Sequence, residues 1–123
     1  MKHVCIIGIG SNINPQENIA NALNILRKEN NVIGVSTFIK TSPIGIADQP
    51  DFLNGAVKIT TDNNVEDYKD YLKEVEDRLM RDRSAQKYGP RSIDLDIVVW
   101  DGEILDKDYY RRDFLKKVVD EIA

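Results

Sequence analysis

Residues 89–97 read Gly-Pro-Arg-Ser-Ile-Asp-Leu-Asp-Ile, and the stretch places two aspartates two positions apart within an otherwise apolar, β-branched run. Successive side chains of a β-strand point to opposite faces, so Asp94 and Asp96 share one face and the apolar residues around them share the other. The apolar face indicates packing against a core. The stretch therefore predicts a half-buried strand that carries two adjacent carboxylates.

Two like charges side by side in a sheet are costly unless a cation lies between them. In proteins Mg²⁺ is commonly held by one or two carboxylates together with substrate phosphate oxygens. We therefore expect Asp94 and Asp96 to bind magnesium. For an Asp-x-Asp pattern taken alone, the alternative interpretation is a solvent-facing strand without a ligand.

A cluster of basic residues precedes this pair, in a protein whose formal net charge is −4. Its members are Arg78, Arg81, Arg83, Lys87 and Arg91. Guanidinium groups match phosphate oxygens, so a cationic cluster beside a magnesium site predicts a polyphosphate ligand. Arg78 and Arg81 could equally be a solvated helix end. The polar residues 82–90, which end in Gly-Pro, predict a loop that covers a ligand.

Size and composition are those of a globular domain of 123 residues, with 41% hydrophobic and 31% charged residues. The mild acidity argues against general binding to nucleic acid or to a membrane surface. Cys5 is the single cysteine, which excludes an intrachain disulfide and fits a reducing compartment. The apolar runs are shorter than a membrane-spanning segment. We expect a cytoplasmic protein.

Hydrophobic periodicity predicts four strands and three helices. The strands are expected at 3–9, 32–39, 53–60 and 93–100, with Gly55 as a bulge. The helices are expected from Pro15 to about 30, from a cap at Asn63 or Asn64 to about 79, and over about 108–122. Asp101-Gly102 predicts a tight turn after the fourth strand.

The order β-α-β-β-α-β with an added C-terminal helix predicts an α+β, ferredoxin-like antiparallel sheet. RNA-recognition modules share this order, but the first and third strands lack the exposed aromatic residues that they require. The stretch 8–12 is neither a dinucleotide-binding nor a P-loop fingerprint. Residues 41–51 contain two prolines and a glycine, and a loop of this length in a small domain usually carries function.

Four segments together resemble one family. They are Ile-Gly-Ser-Asn at 9–12, Thr-Ser-Pro-Ile-Gly at 41–45, Asp-Gln-Pro-Asp-Phe-Leu-Asn at 48–54, and the stretch 89–97. This chain resembles the 6-hydroxymethyl-7,8-dihydropterin pyrophosphokinases of folate biosynthesis, over about residues 4–105. The resemblance implies one domain over residues 1–123 with a ferredoxin-like fold. It also implies transfer of the β,γ-diphosphoryl unit of ATP to the pterin hydroxymethyl oxygen, which leaves AMP.

The resemblance also implies roles for individual residues. Asp94 and Asp96 would hold two Mg²⁺ ions, and Arg81 and Arg83 would assist them in catalysis. The residues expected to bind ATP are Glu76, Arg81, Arg83, Tyr88, Arg91 and Arg112. Tyr88 stands where the family usually has a tryptophan.

The residues expected to bind the pterin are Gly10, Thr41, Ser42, Ile44, Phe52, Asn54 and Phe114. A flat ring stacks on an aromatic side chain, and a carboxamide can bind the donor and acceptor edge of a heterocycle. Without the resemblance, Phe52 could be a core residue and Asn54 a turn residue.

The C-terminal region departs from the family pattern. Family members usually have a His-Pro loop that reaches the nucleotide, followed by an Arg-x-Phe triplet. Arg112-Asp113-Phe114 could be this triplet, but the connection from Leu105 to Arg112 is too short for the loop. A catalytically impaired relative that binds ATP or pterin is therefore one alternative. A ferredoxin-like interaction module is another. As an enzyme we expect a monomer with small-molecule substrates, without nucleic acid or membrane partners.

Overall fold

A computed structural model describes residues 2–43, 45, 48–79 and 92–123. The strands are β1 (His3–Ser11), β2 (Asn31–Val35), β3 (Ile39–Thr41), β4 (Phe52–Thr61), β5 (Asp94–Trp100) and β6 (Glu103–Ile104). The helices are α1 (Pro15–Glu29), α2 (Val65–Arg78), α3 (Asp108–Arg111) and α4 (Asp113–Ile122).

The strands form one sheet in the order β2-β4-β1-β5-β6, in which every pairing is antiparallel, and β3 also pairs with β4. Helices α1 and α2 cover one face of the sheet, and α4 packs on the other. This is the α+β, ferredoxin-like arrangement with an added C-terminal helix, so the predicted fold class is confirmed.

The two crossover helices begin as the sequence predicts. Pro15 is the first residue of α1, where its missing N–H costs nothing. Asn64 caps α2, and its side-chain oxygen accepts the N–H of Asp67 at 2.9 Å. Both helices bury one face, and among the buried residues of α2 is a carboxylate, Glu76.

Apolar burial is divided between the two faces of the sheet. On the α1/α2 face, alternate residues of β1, β4 and β5 meet the helices, including Ile7, Val57 and Leu95. On the α4 face, a smaller cluster joins Ile6 and Ala56 to the helix. Burying one such Ile or Leu side chain contributes about 1.5–3 kcal/mol, so the larger cluster dominates stability.

The predicted second strand, 32–39, is interrupted in the structure. Its two parts are β2 and β3, and the register of their pairing with β4 shifts by one residue between Val32 and Gly34 and by one more between Val35 and Ile39. At the interruption Thr37 donates its N–H and hydroxyl to the carboxylate of Glu121, at 2.9 and 2.7 Å. A side chain of α4 thus replaces a strand partner at this point.

The expectation of a bulge at Gly55 is wrong. Gly55 pairs in unbroken register with Ile9. A Cβ atom at Gly55 would lie 2.5 Å from the ring of Phe38, so the glycine provides space for that ring. The sequence pattern cannot distinguish these two reasons for a glycine in a strand.

The C-terminal part contains one unpredicted strand and one unpredicted break. Asp101 (φ 49°) and Gly102 (φ 84°) form the expected tight turn, which leads into β6. The expected last helix is interrupted at Arg112 (φ −119°, ψ 107°), which separates α3 from α4. Tyr109 donates its hydroxyl to Asp120 at 2.6 Å and so folds α3 back onto α4. In the described part of the chain, no helix has the length and apolar character needed to span a membrane.

Candidate active site

The two aspartates of β5 lie on the α4 face of the sheet, opposite the core residues Leu95 and Ile97. Asp94 pairs with Gly10 of β1, and Asp96 pairs with Gly8. Because glycine has no side chain, β1 forms a low floor beside Asp94 at Gly10. At Gly8 this floor is closed by Val98 and Leu115, whose side chains would lie 3.3 and 3.4 Å from an added Cβ. The paired carboxylates therefore form one wall of a shallow trough.

The opposite wall of this trough is formed by β4. Asn54 pairs with Gly10 on the other side of β1, so the row Asn54–Gly10–Asp94 crosses three strands. The Nδ2 of Asn54 donates to the hydroxyl of Thr41 at 2.6 Å. A Cβ on Gly10 would lie only 2.7 Å from Asn54 Oδ1, so the carboxamide occupies space that only glycine leaves free. This contact holds the amide of Asn54 over the floor of the trough.

The loop at 41–51 is attached to the end of β1. Asn12 is 3% exposed, and its Nδ2 donates to Gln49 Oε1 at 2.8 Å and to the carbonyl of Pro50 at 3.1 Å. Ser11 donates its hydroxyl to the carbonyl of Ser92, which precedes β5. The motif at 9–12 thus ties both site-forming segments to β1. The sequence showed the Gly-Ser-Asn triplet as part of a motif, but it did not indicate which residues Ser11 and Asn12 bind.

The electrostatics of the site favour a cation. Asp96 is an exposed residue, yet its pKa is raised to about 8. The largest cause is desolvation of its carboxylate by neighbouring protein atoms. The like charge of Asp94, a hydrogen bond with Asp94, and the charges of Glu76 and Asp106 also contribute. An ionised Asp96 is therefore disfavoured in the absence of a positive partner. The contribution of Asp106, in the segment after β6, could not be predicted because the sequence gave no sign that this segment returns to β5.

A second concave region lies at the edge of β5. It is a cleft of about 380 Å³ between α2, β5 and the segment after β6. The described residues that line it are Lys69, Leu72, Lys73, Glu76, Leu95, Asp96, Ile97, Leu105, Asp106 and Lys107. Asp96 thus lines the cleft, and Asp94, two residues before it on the same strand, borders the trough at Gly10.

Other predicted site residues have mixed placements. Phe52 is half-buried beside Gly10, and Ser42 is an exposed residue just after β3. Phe114 lies in the first turn of α4, half-buried, and Arg112 lies at the break before it. Arg78 binds Glu29 at 2.6 and 2.9 Å, so the helix-end interpretation holds for this arginine.

Five predicted site residues lie outside the described residues. They are Ile44, Arg81, Arg83, Tyr88 and Arg91. Within the described ranges, no group of three or more His, Cys, Asp or Glu side chains is arranged to hold a metal ion.

By its fold the chain is a ferredoxin-like α+β protein with a polar trough on the outer face of its sheet. Residues 6–123 match the family model described as 7,8-dihydro-6-hydroxymethylpterin-pyrophosphokinase. Since this match covers nearly the whole chain, the protein belongs to that family. The family, the class of enzyme and the kind of reaction predicted from the sequence are thereby confirmed.

Several curated proteins are similar to this chain. A 2-amino-4-hydroxy-6-hydroxymethyldihydropteridine pyrophosphokinase of Haemophilus influenzae is 33% identical over 95% of this chain and 79% of its own length. A protein of the same name from Bacillus subtilis is 35% identical over 84% of this chain and 63% of its own length. The folate synthesis bifunctional protein of Arabidopsis thaliana is 33% identical over 77% of this chain, which spans 20% of that protein.

Proposed function

We propose that this protein transfers the β,γ-diphosphoryl unit of ATP to 6-hydroxymethyl-7,8-dihydropterin and releases AMP, as a step of folate biosynthesis. The names of its relatives support the substrate and the reaction class. The observation that carries the proposal is the row Asn54–Gly10–Asp94, because it sets a heterocycle-binding amide and a metal-binding carboxylate on opposite sides of one flat floor.

The pterin would lie in the trough over Gly10. The amide of Asn54, oriented by Thr41, would bind the donor and acceptor edge of the ring. Phe52 would stack on one ring face and Phe114 on the other, with Ser42 and Ile44 supplying backbone contacts. This pose directs the hydroxymethyl group towards β5 and its two aspartates.

The Asp94–Asp96 pair fits magnesium because it offers two oxygen donors in a setting where their own charges repel. Two Mg²⁺ ions held by Asp94 and Asp96 would supply positive charge to neutralise the transferred phosphates. The carboxylates would hold this assembly in line with the hydroxymethyl oxygen, so that positioning and charge neutralisation supply most of the catalysis.

The nucleotide would extend from the aspartates into the cleft at the edge of β5. Leu72, Ile97 and Leu105 offer apolar surface, and Lys69, Lys73 and Lys107 supply positive charge. The resemblance adds Arg81, Arg83, Tyr88, Arg91 and Arg112 as ATP contacts, and it gives Arg81 and Arg83 a role in catalysis as well. These cations would offset the acidity of the β5 edge.

We further propose that the protein acts as a cytoplasmic monomer on these small molecules, without nucleic acid or membrane partners. The buried thiol of Cys5 and the net charge of −4 support this.

The proposal is tested by incubating the protein with ATP, Mg²⁺ and 6-hydroxymethyl-7,8-dihydropterin and measuring AMP. We expect AMP to form only when all three are present. A protein that binds a fluorescent ATP analogue and the pterin but forms no AMP would be the impaired relative instead. Failure to bind either ligand would support an interaction module.

A further inference from the structure

Glu76 is a buried carboxylate whose place in the fold differs from that of a ligand contact. It lies on the buried face of α2 beside Leu72 and Val75, and it is 2% exposed. A charged group in such a position is costly unless it is hydrogen-bonded, and an apolar residue would pack there more cheaply. A carboxylate at this buried position therefore indicates a specific hydrogen-bond partner.

That partner is the backbone of β5. The Oε2 of Glu76 accepts the N–H of Leu95 at 2.7 Å. Leu95 stands between the two aspartates, so this hydrogen bond holds the segment that connects Asp94 to Asp96. A carboxylate that accepts a backbone N–H forms a stronger hydrogen bond than a neutral group does.

The sheet leaves this position open. On its outer side β5 pairs with β6 only at Val99 and Trp100. On its inner side β5 pairs with β1, whose Gly10 and Gly8 face the aspartates without any side chain. The N–H of Leu95 thus points to an edge where no described strand continues, and the side chain of Glu76 takes the place of the missing strand.

We propose that Glu76 is a positioning residue that fixes the spacing and direction of Asp94 and Asp96 through the backbone of Leu95, and that it is not a nucleotide ligand. This inference rests on the proposed function, which assigns Asp94 and Asp96 to the reaction. Glu76 lies among the residues that line the cleft, but it is only 2% exposed and its Oε2 already accepts the N–H of Leu95, so it offers little surface to ATP.

Two substitutions of Glu76 distinguish the effect of its side-chain length from the effect of its charge. Glu76→Gln keeps an oxygen acceptor at the same distance and loses the charge, whereas Glu76→Asp keeps the charge and shortens the side chain by one methylene. Glu74→Gln, on the exposed side of the same helix, is the matched control; its carboxylate lies 3.9 Å from Arg78. All three are compared with the parent for kcat, for the KM of ATP, and for the Mg²⁺ concentration that gives half-maximal rate.

Positioning predicts that reach matters more than charge. We expect Glu76→Asp to lower kcat by tenfold or more and to raise the half-maximal Mg²⁺ concentration at least threefold, with the KM of ATP changed less than threefold. Glu76→Gln should retain most of the parental kcat. A raised KM of ATP in Glu76→Gln at unchanged kcat would overturn the proposal in favour of a nucleotide ligand. A lowered Tm in Glu76→Asp at unchanged kcat and Mg²⁺ dependence would overturn it in favour of a purely structural role.

A measurement without substrates separates this inference from the proposed function. The amide hydrogen of Leu95 in the ligand-free protein should exchange with solvent at least tenfold faster in Glu76→Asp than in the parent, and at nearly the parental rate in Glu76→Gln. If the three proteins show this order of exchange rates but the parent forms no AMP, the hydrogen bond exists and the proposed function fails. If Leu95 exchanges equally fast in all variants, the positioning role fails whatever the activity.

Discussion

At the scale of single residues, the site depends on pairs in which one member has no function without the other. Asn54 can present its amide only because Gly10 lacks a Cβ and because Thr41 accepts its N–H. Burial of its carboxylate, and then the charges of Asp94, Glu76 and Asp106, raise the pKa of Asp96, so a cation beside the pair would favour its ionised form. Substitutions at these positions should therefore affect one ligand and spare the other.

Substitution of either aspartate should abolish most of the activity. Asp94→Asn or Asp96→Asn removes a metal ligand and leaves phosphate charge without compensation, so we expect turnover to fall by several orders of magnitude at unchanged fold. The measurement is the rate of AMP formation during Mg²⁺ titration, with the exposed Asp62→Asn as control. Near-parental turnover of either variant at limiting Mg²⁺ would show that the pair is not the metal site.

Gly10→Ala should weaken pterin binding selectively. The added Cβ would displace Asn54 Oδ1, 2.7 Å away, and break the hydrogen bond to Thr41. Loss of an oriented amide costs about 1–2 kcal/mol, or about tenfold in the dissociation constant of the pterin. Calorimetric titration with pterin and with an ATP analogue measures both affinities. Gly34→Ala is the control, because its Cβ would make only ordinary contacts, the nearest at 3.5 Å. Equal pterin affinity of Gly10→Ala and the parent would exclude this role of the glycine.

At the scale of helices and strands, the two sides of the sheet have different tasks. Helices α1 and α2 bury the core face and are joined at their C-terminal ends by Glu29 and Arg78. Helix α4 covers the other face next to the trough, and Glu121 attaches it to the interruption between β2 and β3. Substitutions in α1 and α2 should alter the free energy of unfolding, whereas substitutions in α4 should alter the affinity for substrate.

The pairing of Glu29 with Arg78 predicts a pH dependence of stability. Hydrogen bonds from Arg78 and then from Tyr71 lower the pKa of Glu29 to about 2. Because the pKa is lower in the folded state, its stabilisation is complete above the unfolded value of about 4.3 and is lost as the pH falls towards 2. The free energy of unfolding of Glu29→Gln should therefore be lower than that of the parent at pH 6, and the difference should shrink between about pH 4.5 and pH 2. A difference independent of pH in urea unfolding would contradict this; the pair is partly exposed, so we expect a modest effect.

Helix α4 should contribute directly to pterin binding through its first turn. If Phe114 stacks on the ring face opposite Phe52, removing either aromatic side chain should cost about 1–3 kcal/mol, or roughly tenfold or more in pterin affinity, with little effect on ATP alone. Titrations of Phe114→Ala and Phe52→Ala measure this, and Phe114→Leu distinguishes stacking from packing. Parental affinity in Phe114→Ala, together with weakened binding in Phe52→Ala, would make Phe114 an ordinary helix residue.

The parts of the fold that the sequence predicted are those set by local periodicity. The shared face of Asp94 and Asp96, the cap at Asn64 and the turn at Asp101-Gly102 each follow from a few neighbouring residues. The interruption of the strand at 32–39 could not be predicted, because it depends on a carboxylate of α4 that is distant in sequence.

The site shows the same division. The resemblance implies that Asn54 and Glu76 are site residues, but their hydrogen-bond partners depend on strand register and on helix placement. Thr41 reaches Asn54 only because β3 pairs with β4, and Glu76 reaches Leu95 only because α2 packs along the edge of β5. Patterns of neighbouring residues in the sequence predict neither of these two long-range hydrogen bonds.

At the scale of the whole molecule, one face of the sheet carries the larger apolar cluster, and the other carries a smaller one beside the proposed site. The trough over Gly10 lies beside Asp94 and the cleft lies beside Asp96, so the proposed acceptor and nucleotide would meet at the two aspartates. Direct transfer of the diphosphoryl unit, with AMP as the leaving group, requires both substrates to be bound beside the aspartates at the same time.

The most direct test follows both phosphorus atoms of the transferred unit. ATP labelled at the β position and, separately, ATP labelled at the γ position are incubated with the protein, Mg²⁺ and 6-hydroxymethyl-7,8-dihydropterin. The account predicts that both labels appear on the pterin in equal amounts, with one AMP formed per labelled pterin, and that Asp94→Asn abolishes both. Transfer of the γ label alone with release of ADP, or label in free phosphate without labelled pterin, would contradict it.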